Sequence, residues 1–460
     1  MISKYSSIYF VGAGGIGMAA LERYFLAQGK RVAGYDLTPS DLTSRLIEEG
    51  VEIVFDDDAS LIPPYCQDAE STLVCYTPAV PASHKGLTYF RQNGFRVVKR
   101  SELLGIITRS SLGLCFSGTH GKTTTSTMAA HILNGSHIGC NAFLGGVCRN
   151  TGSNLMLSDT SPYTVIEADE FDRSFHTLSP HIAVVTATDP DHLDIYGTEE
   201  AYLESFAHFT SLIQPGGTLI VHTGLKLVPR TGSDVTTLTY SRDAGDFHAE
   251  NVRKANGEIV FDFVAPGRRV SDISLGVPVD INIENAVAAM AVCALVGATD
   301  DELRQGIATF QGAKRRFEFW IKQPGESGLV MIDDYAHHPD ELKASITSVV
   351  DLYPGREITV VFQPHLFTRT RDFAPEFAQA LSLAHRVILL DIYPARELPI
   401  AGVTSEIILN RIPAGKATLC SLKQLPEVIK AAKPDILLTA GAGNVSNSLP
   451  EILEAYKQSR

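Results

Sequence analysis

Leu112-Gly113-Leu114-Cys115-Phe116-Ser117-Gly118-Thr119-His120-Gly121-Lys122-Thr123-Thr124-Thr125 is the stretch whose reading decides the fold. Leu112–Phe116 has the pattern of a buried strand, and a helix pattern begins at about Ser126. Between them lies a loop that resembles a P-loop. Gly118 and Gly121 open the backbone so that its N–H groups, with Thr119, His120 and Thr124, can cradle ATP phosphates. Lys122 can reach the β- and γ-phosphates, and the Thr123 hydroxyl can ligate Mg²⁺. The common eight-residue pattern starts with glycine, and that position here is Phe116. A chance Gly-Lys-Thr is the rival reading; the strand–loop–helix setting favours ATP.

Toward the amino end, Ile8–Val11 runs into Gly12-Ala13-Gly14-Gly15-Ile16-Gly17 and a second helix pattern. This is G-x-G-x-x-G between strand and helix, a turn that brings backbone N–H groups to a diphosphate. Asp36 ends the next strand, where a ribose-binding acid often sits. Taken alone, the motif leaves a nicotinamide or flavin, another nucleotide and a purely structural turn all open. Two nucleotide loops in one chain weaken the dehydrogenase reading, because hydride transfer does not require ATP.

Toward the carboxyl end, the strand pattern Tyr163–Ile166 ends in Glu167-Ala168-Asp169-Glu170. Carboxylates at a strand end beside a P-loop suit a phosphate-bound Mg²⁺ better than a merely solvated acidic loop does. His181–Val185 leads to Asp189-Pro190-Asp191-His192, a candidate for a second metal or phosphate contact. Asn282–Asn285 opens a helix, and its asparagines could read a base edge. In Lys314-Arg315-Arg316, Arg316 could contact phosphate, although a basic pair is more often plain surface.

Short apolar runs alternate with helical patterns along all 460 residues. That order implies βαβ units and mostly parallel sheets. The expected class is α/β in three domains: a Rossmann-like domain over 1–105, a central P-loop-type ATPase domain over 106–314 and a Rossmann-like domain over 315–460. Residues 223–278 read as β-rich. The net charge of −13 argues against nucleic acid as a partner. Seven scattered cysteines without a C-x-x-C read as small buried hydrophobes. No signal peptide and no membrane-spanning run is visible, so a cytoplasmic enzyme is expected.

In order along nearly the whole chain, Gly12–Gly17, Gly118–Thr125, Glu167–Asp172, Asp191–Tyr196, Asn282–Asn285, Lys314–Glu318, Asp333–Pro339, Gln363–Thr370 and Gly441–Gly443 resemble the Mur ligases. The resemblance implies ATP-dependent amide synthesis, with ATP and Mg²⁺, on the lactyl carboxylate of UDP-N-acetylmuramate. The first glycine loop, Gly12, Ala13, Gly14, Gly15, Ile16 and Gly17, with Asp36, would then hold the UDP-sugar rather than NAD. Lys122 and Thr123 would bind ATP phosphate and Mg²⁺, while Glu167 and His192 contact the metal. Asn285 would read adenine, Asp334 would hold the ATP ribose and Arg316 would contact its phosphates. His337 and Arg369 would face the reacting end, with the third domain closing over the site.

Three stretches, Gln363–Thr370, Gly441–Gly443 and Asp191–Tyr196, resemble the branch that adds L-alanine more than the branch that recycles murein tripeptide. Three positions depart from common patterns. Ala207 stands where several relatives carry a carbamylated lysine, Leu366 where an arginine is frequent, and Asn444 where an acid is common.

Overall fold

Every residue of the first apolar run, Ser7–Val11, is buried, as a strand covered on both faces requires. It is β1 of a five-stranded sheet with β2 (Arg31–Tyr35), β3 (Glu52–Val54), β4 (Thr72–Tyr76) and β5 (Arg96–Lys99). The order is β3-β2-β1-β4-β5, all parallel. The chain reverses its direction of winding between β1 and β4, which leaves a crevice at the carboxyl ends of those strands. Helices α1 (Ile16–Ala27), α2 (Asp41–Glu48), α3 (Lys85–Gln92) and α4 (Arg100–Thr108) complete this layer. The computed structural model describes residues 2–81, 83–191, 193–255, 257–322, 328–395 and 397–458.

The next sheet contains β6 (Leu112–Ser117), β7 (Asn141–Cys148), β8 (Ser153–Met156), β9 (Tyr163–Glu167), β10 (Pro180–Val185), β11 (Thr218–His222) and β12 (Thr236–Tyr240). Its order is β12-β11-β10-β6-β9-β7-β8. β6 is central and parallel to both neighbours, with Phe116 opposite Glu167 and Ser117 opposite Val185. Register therefore sets the ends of β9 and β10 on either side of the loop that leaves β6. Only the edge pair β7–β8 is antiparallel among the pairings of this sheet. One apolar core runs beneath both sheets, from Phe10 and Phe25 to Phe206 and Phe209. Tyr24 of α1 meets Phe143 of β7 edge-on at 5.3 Å.

Three more strands, β13 (His248–Ala255), β14 (Glu258–Ala265) and β15 (Arg268–Ser274), form a sheet of that order. They fall in the region read as β-rich. The last sheet contains β16 (Glu318–Lys322), β17 (Val330–Asp334), β18 (Ile358–Phe362), β19 (Arg386–Leu389), β20 (Ala417–Leu419) and β21 (Ile436–Ala440), in the order β16-β17-β21-β18-β19-β20. β16 is antiparallel and the rest are parallel. Met331, Val361, Ile388 and Leu437 lie in its core with Leu425 and Ile429.

The chain forms two compact units: 1–249 with 263–270 and 285–306, and 250–262 with 271–284 and 307–460. The fold is the expected α/β architecture, with each quoted apolar run on a strand. One boundary differs. The helix after the second glycine loop, α5 (Lys122–Asn134), starts at Lys122 rather than near Ser126. Three consecutive threonines argue locally against helix, but Gly121 at φ +83° turns the chain so that Lys122 is the first helical residue. All seven cysteines are free thiols, six of them buried. Among the described residues, no helix is long and apolar enough to cross a membrane.

Candidate active site

The loop between β6 and α5 is built on glycine. Gly118 sits at φ +136°, and a Cβ there would lie 2.2 Å from Thr186 Oγ1 and 2.7 Å from the Ala187 backbone nitrogen. Neither the conformation nor the space admits a side chain. The loop is pinned to the end of β10. Thr119 N donates to Ala187 O at 3.0 Å, and its hydroxyl donates to Asp189 O at 2.7 Å. The same hydroxyl lies 2.9 Å from Tyr202 Oη, and Thr186 Oγ1 donates to His120 O. His120 is exposed, while Lys122, Thr123 and Thr124 are half-buried in the first turn of α5. No side chain caps that turn, which leaves its N–H groups for an anion.

Lys122 Nζ donates to Gly118 O at 2.6 Å and to Glu170 Oε1 at 2.8 Å. Thr123 Oγ1 donates to Glu167 Oε1 at 3.0 Å, and Gly145 N donates to Glu167 Oε2 at 3.0 Å. Burial raises the Glu167 carboxyl above its ordinary range, and the Lys122 charge and the Thr123 hydrogen bond partly offset that rise. Glu170 is raised for the same reason and is likewise opposed by Lys122. A hydroxyl and a carboxylate oxygen 3.0 Å apart, beside an ammonium, are the donor set a phosphate-bound Mg²⁺ takes from a protein. Among the described residues, no three His, Cys, Asp or Glu side chains gather into a metal cage. His192 lies outside the described residues.

Asn285 is buried on the helix Ile281–Leu295, and its Oδ1 accepts from Thr125 Oγ1 at 3.2 Å. It thus abuts the loop, 2.9 Å from where a Gly121 Cβ would stand. Ala207 is buried on the helix Glu199–Thr210 within the shared core.

The first glycine loop lies at the carboxyl end of β1, apart from this cluster. Gly12 takes φ +94°, and a Cβ there would meet Thr77 Cγ2 at 2.3 Å. Asp36 accepts from Gly14 N at 2.6 Å and from Thr38 N at 3.2 Å. Gly15 caps α1 without a side-chain hydrogen bond.

The second unit gathers the remaining candidates. Asp334, at the end of β17, accepts from Phe317 N at 3.1 Å, and burial raises its carboxyl against the pull of Arg316. The Arg315 and Arg316 guanidinium groups lie 4.9 and 5.0 Å from the Tyr335 ring centre. His337 Nδ1 stands 3.1 Å from Tyr335 O and 3.2 Å from Glu341 Oε2. Burial holds the His337 imidazole below its usual range, and the Arg369 and Arg316 charges add to that. Arg369 lies on the short helix Phe367–Asp372, which Leu366 opens at φ +70°. Asn444 Oδ1 accepts from Gln363 Nε2 at 2.9 Å.

Three contacts were not anticipated from sequence: the Lys122–Glu170 pair, the Thr119–Tyr202 hydroxyl contact, and the fully buried Asp333. Burial pushes the Asp333 carboxyl up to about 6 even though the Thr439 and Ser446 hydroxyls donate to it at 2.6 and 2.7 Å. Asp333 stood in plain sight beside Asp334, and its alternation onto the opposite face of β17 was the available signal.

A glycine-built strand–loop–helix turn on a mostly parallel sheet, with a hydroxyl–carboxylate pair and a lysine at its mouth, has the arrangement of a P-loop-type nucleotide enzyme. Family descriptions match in order along the chain: Mur ligase family, catalytic domain, over 7–111; Mur ligase middle domain over 116–293; and Mur ligase, glutamate ligase domain, over 315–443. The chain belongs to the Mur ligase family of ATP-dependent ligases and has its three-domain architecture.

It is 57% identical over 452 residues to a UDP-N-acetylmuramate–L-alanine ligase of Phocaeicola vulgatus, covering 98% of each chain. A protein of that name from Flavobacterium johnsoniae is 45% identical over 451 residues, again with 98% of each chain covered. The crystal structure of UDP-N-acetylmuramate–alanine ligase from Thermotoga maritima superposes with a TM-score of 0.79 at 26% identity, over 99% of this chain and 100% of that one. A murein peptide ligase from Psychrobacter arcticus shares the fold, with a TM-score of 0.61 at 21% identity over 98% of each chain.

Proposed function

We propose that this chain joins L-alanine to the lactyl carboxylate of UDP-N-acetylmuramate, consuming ATP and releasing ADP and phosphate. A carboxylate is a poor electrophile, so the γ-phosphoryl group of ATP passes to it first and gives an acyl phosphate. The alanine amine attacks the acyl carbon, phosphate leaves, and the amine gives up a proton. The observation that carries the reaction class is Thr123 Oγ1 on Glu167 Oε1 beside the Lys122 ammonium. The near-full-length likeness to L-alanine ligases supports the choice of acceptor.

In this reading Gly118–Thr124 hold the ATP phosphates through backbone N–H groups, and Lys122 neutralises charge as the γ-phosphoryl moves. Thr123, Glu167 and His192 hold Mg²⁺, which would supply further charge neutralisation when bound. Asn285 reads adenine, and Asp334 and Arg316 serve the ATP ribose and phosphates. His337 and Arg369 face the reacting groups. Gly12–Gly17 with Asp36 take the uridine diphosphate. The boundaries we assign to the three domains are 105/106 and 314/315, and the setting is the cytoplasm.

The test is kcat/KM for L-alanine against L-Ala-γ-D-Glu-diaminopimelate, with ATP and UDP-N-acetylmuramate fixed and phosphate release as the readout. Preference for L-alanine is expected. Preference for the tripeptide would leave the ligase chemistry standing and overturn the acceptor.

A further inference from the structure

The first glycine loop lacks something a diphosphate needs. Gly12–Gly17 contains no cation, and the charged group fixed to it is negative, the Asp36 carboxylate on Gly14 N at 2.6 Å. Backbone N–H groups alone would have to hold two phosphates next to that carboxylate. One guanidinium lies within reach. Arg100 leaves the carboxyl end of β5 as the first residue of α4. Its Nη1 is 2.7 Å, and its Cζ 3.3 Å, from where a Cβ on Gly17 would stand. The group therefore lies against the first turn of α1, in space that exists because residue 17 has no side chain.

Arg100 is half-buried, yet it makes no hydrogen bond or ion pair with any described residue. Other arginines of the chain find acceptors among its own carboxylates or carbonyls, as Arg109 does on Thr177 O. Arg356 lies on Asp435, and Arg230 takes Glu204 with both terminal nitrogens at 2.5 Å. A partly desolvated guanidinium with five donors and no acceptor is costly unless something else brings the acceptor. Paired phosphate oxygens match its planar fork.

We propose that Arg100 is the cation that neutralises and orients the diphosphate of the sugar nucleotide on the Gly12–Gly17 loop, and that Gly17 is bare to admit it. This rests on the reading of that loop as the UDP-sugar site. The β5–α4 junction then belongs to the substrate site as well as to the fold.

Calorimetry on the full chain with UDP and with uridine tests it, with thermal melts confirming that each variant is folded. Arg100→Ala should weaken UDP binding by about ten- to a hundredfold, the value of a charge-assisted bidentate contact, and leave uridine binding unchanged. Arg100→Lys keeps the charge but not the fork and should fall between. Gly17→Ala displaces the guanidinium and should weaken UDP in the same sense. Equal UDP affinity in wild type and Arg100→Ala would overturn the proposal. So would equal losses for UDP and uridine, which would mark Arg100 as structural. A wild-type chain that binds uridine diphosphate in no form would overturn the reading of the loop itself, and the inference with it.

Discussion

The two glycine loops differ in what surrounds them more than in their own sequences. Each follows a buried parallel strand, each has a glycine forced to positive φ against a neighbouring residue, and each opens a helix without a side-chain cap. Behind the second loop stand Glu167 and Glu170, engaged by Thr123 and Lys122. On the first, an aspartate grips the loop's own backbone. The helix beyond it buries Glu22 completely, with neither carboxylate oxygen hydrogen-bonded. In the proposed reading, a glycine loop only makes room for an anion, and the neighbouring strand ends decide whether phosphate is held or transferred.

The contrast can be broken most sharply at Lys122. Lys122→Ala should cut turnover about a thousandfold or more, because it removes charge felt most strongly as the phosphoryl group moves; phosphate release at saturating substrates reads this, and near-normal ligation would refute the role. Backbone effects come next. Gly118→Ala should cost about 1–3 kcal/mol of stability and lose ATP binding. Gly15→Ala should leave stability nearly unchanged, since a Cβ at Gly15 meets no protein atom closer than 3.6 Å. Equal melting behaviour of the two variants would show that the two positions are not under different constraint.

The two buried glutamates should respond oppositely to neutralisation. Glu170→Gln strips the Lys122 ammonium of its charged partner and should lower stability by roughly 1–3 kcal/mol. Burial raises the Glu22 carboxyl well above its ordinary range. An acid raised in the folded state binds its proton more tightly there than in the unfolded chain. The stability this brings is full below the ordinary glutamate range and is lost as pH climbs toward the folded value. Glu22→Gln should therefore match or exceed wild type at pH 7 and flatten the decline in stability between about pH 5 and 7. Urea melts at both pH values would check this, and an unchanged slope would count against a neutral Glu22. The smallest effect is none at all: with Ala207 at the lysine position, removing bicarbonate should leave the rate unaltered.

The strands were legible because burial on both faces leaves unbroken apolar runs, and the turn Gly118–Thr123 because a strand-to-helix junction with glycine forced to positive φ constrains residue type at fixed spacing. The start of α5 was misplaced because β-branched threonines argue locally against a helix that Gly121 and the surrounding packing impose. Glu170 lies 48 positions from Lys122, and only the pairing of β6 with β9 brings them together. Arg100 carried no signal at all, since its meaning comes from an unfilled space over a residue 83 positions earlier (100 − 17). Asn285 was singled out for a base edge, and its contact with Thr125 places it against the same loop.

Ala207 also limits what the chain could accept at that position. It is 6% exposed on a helix whose inward face also carries Tyr202, Phe206 and Phe209. A lysine introduced there would enter a buried apolar core, and its ammonium would be driven toward the neutral form. Several neighbours would have to shrink together before a carbamylated lysine could stand there. Emptying position 207 therefore asks little of the core, whereas filling it with a long charged side chain asks the whole helix face to repack.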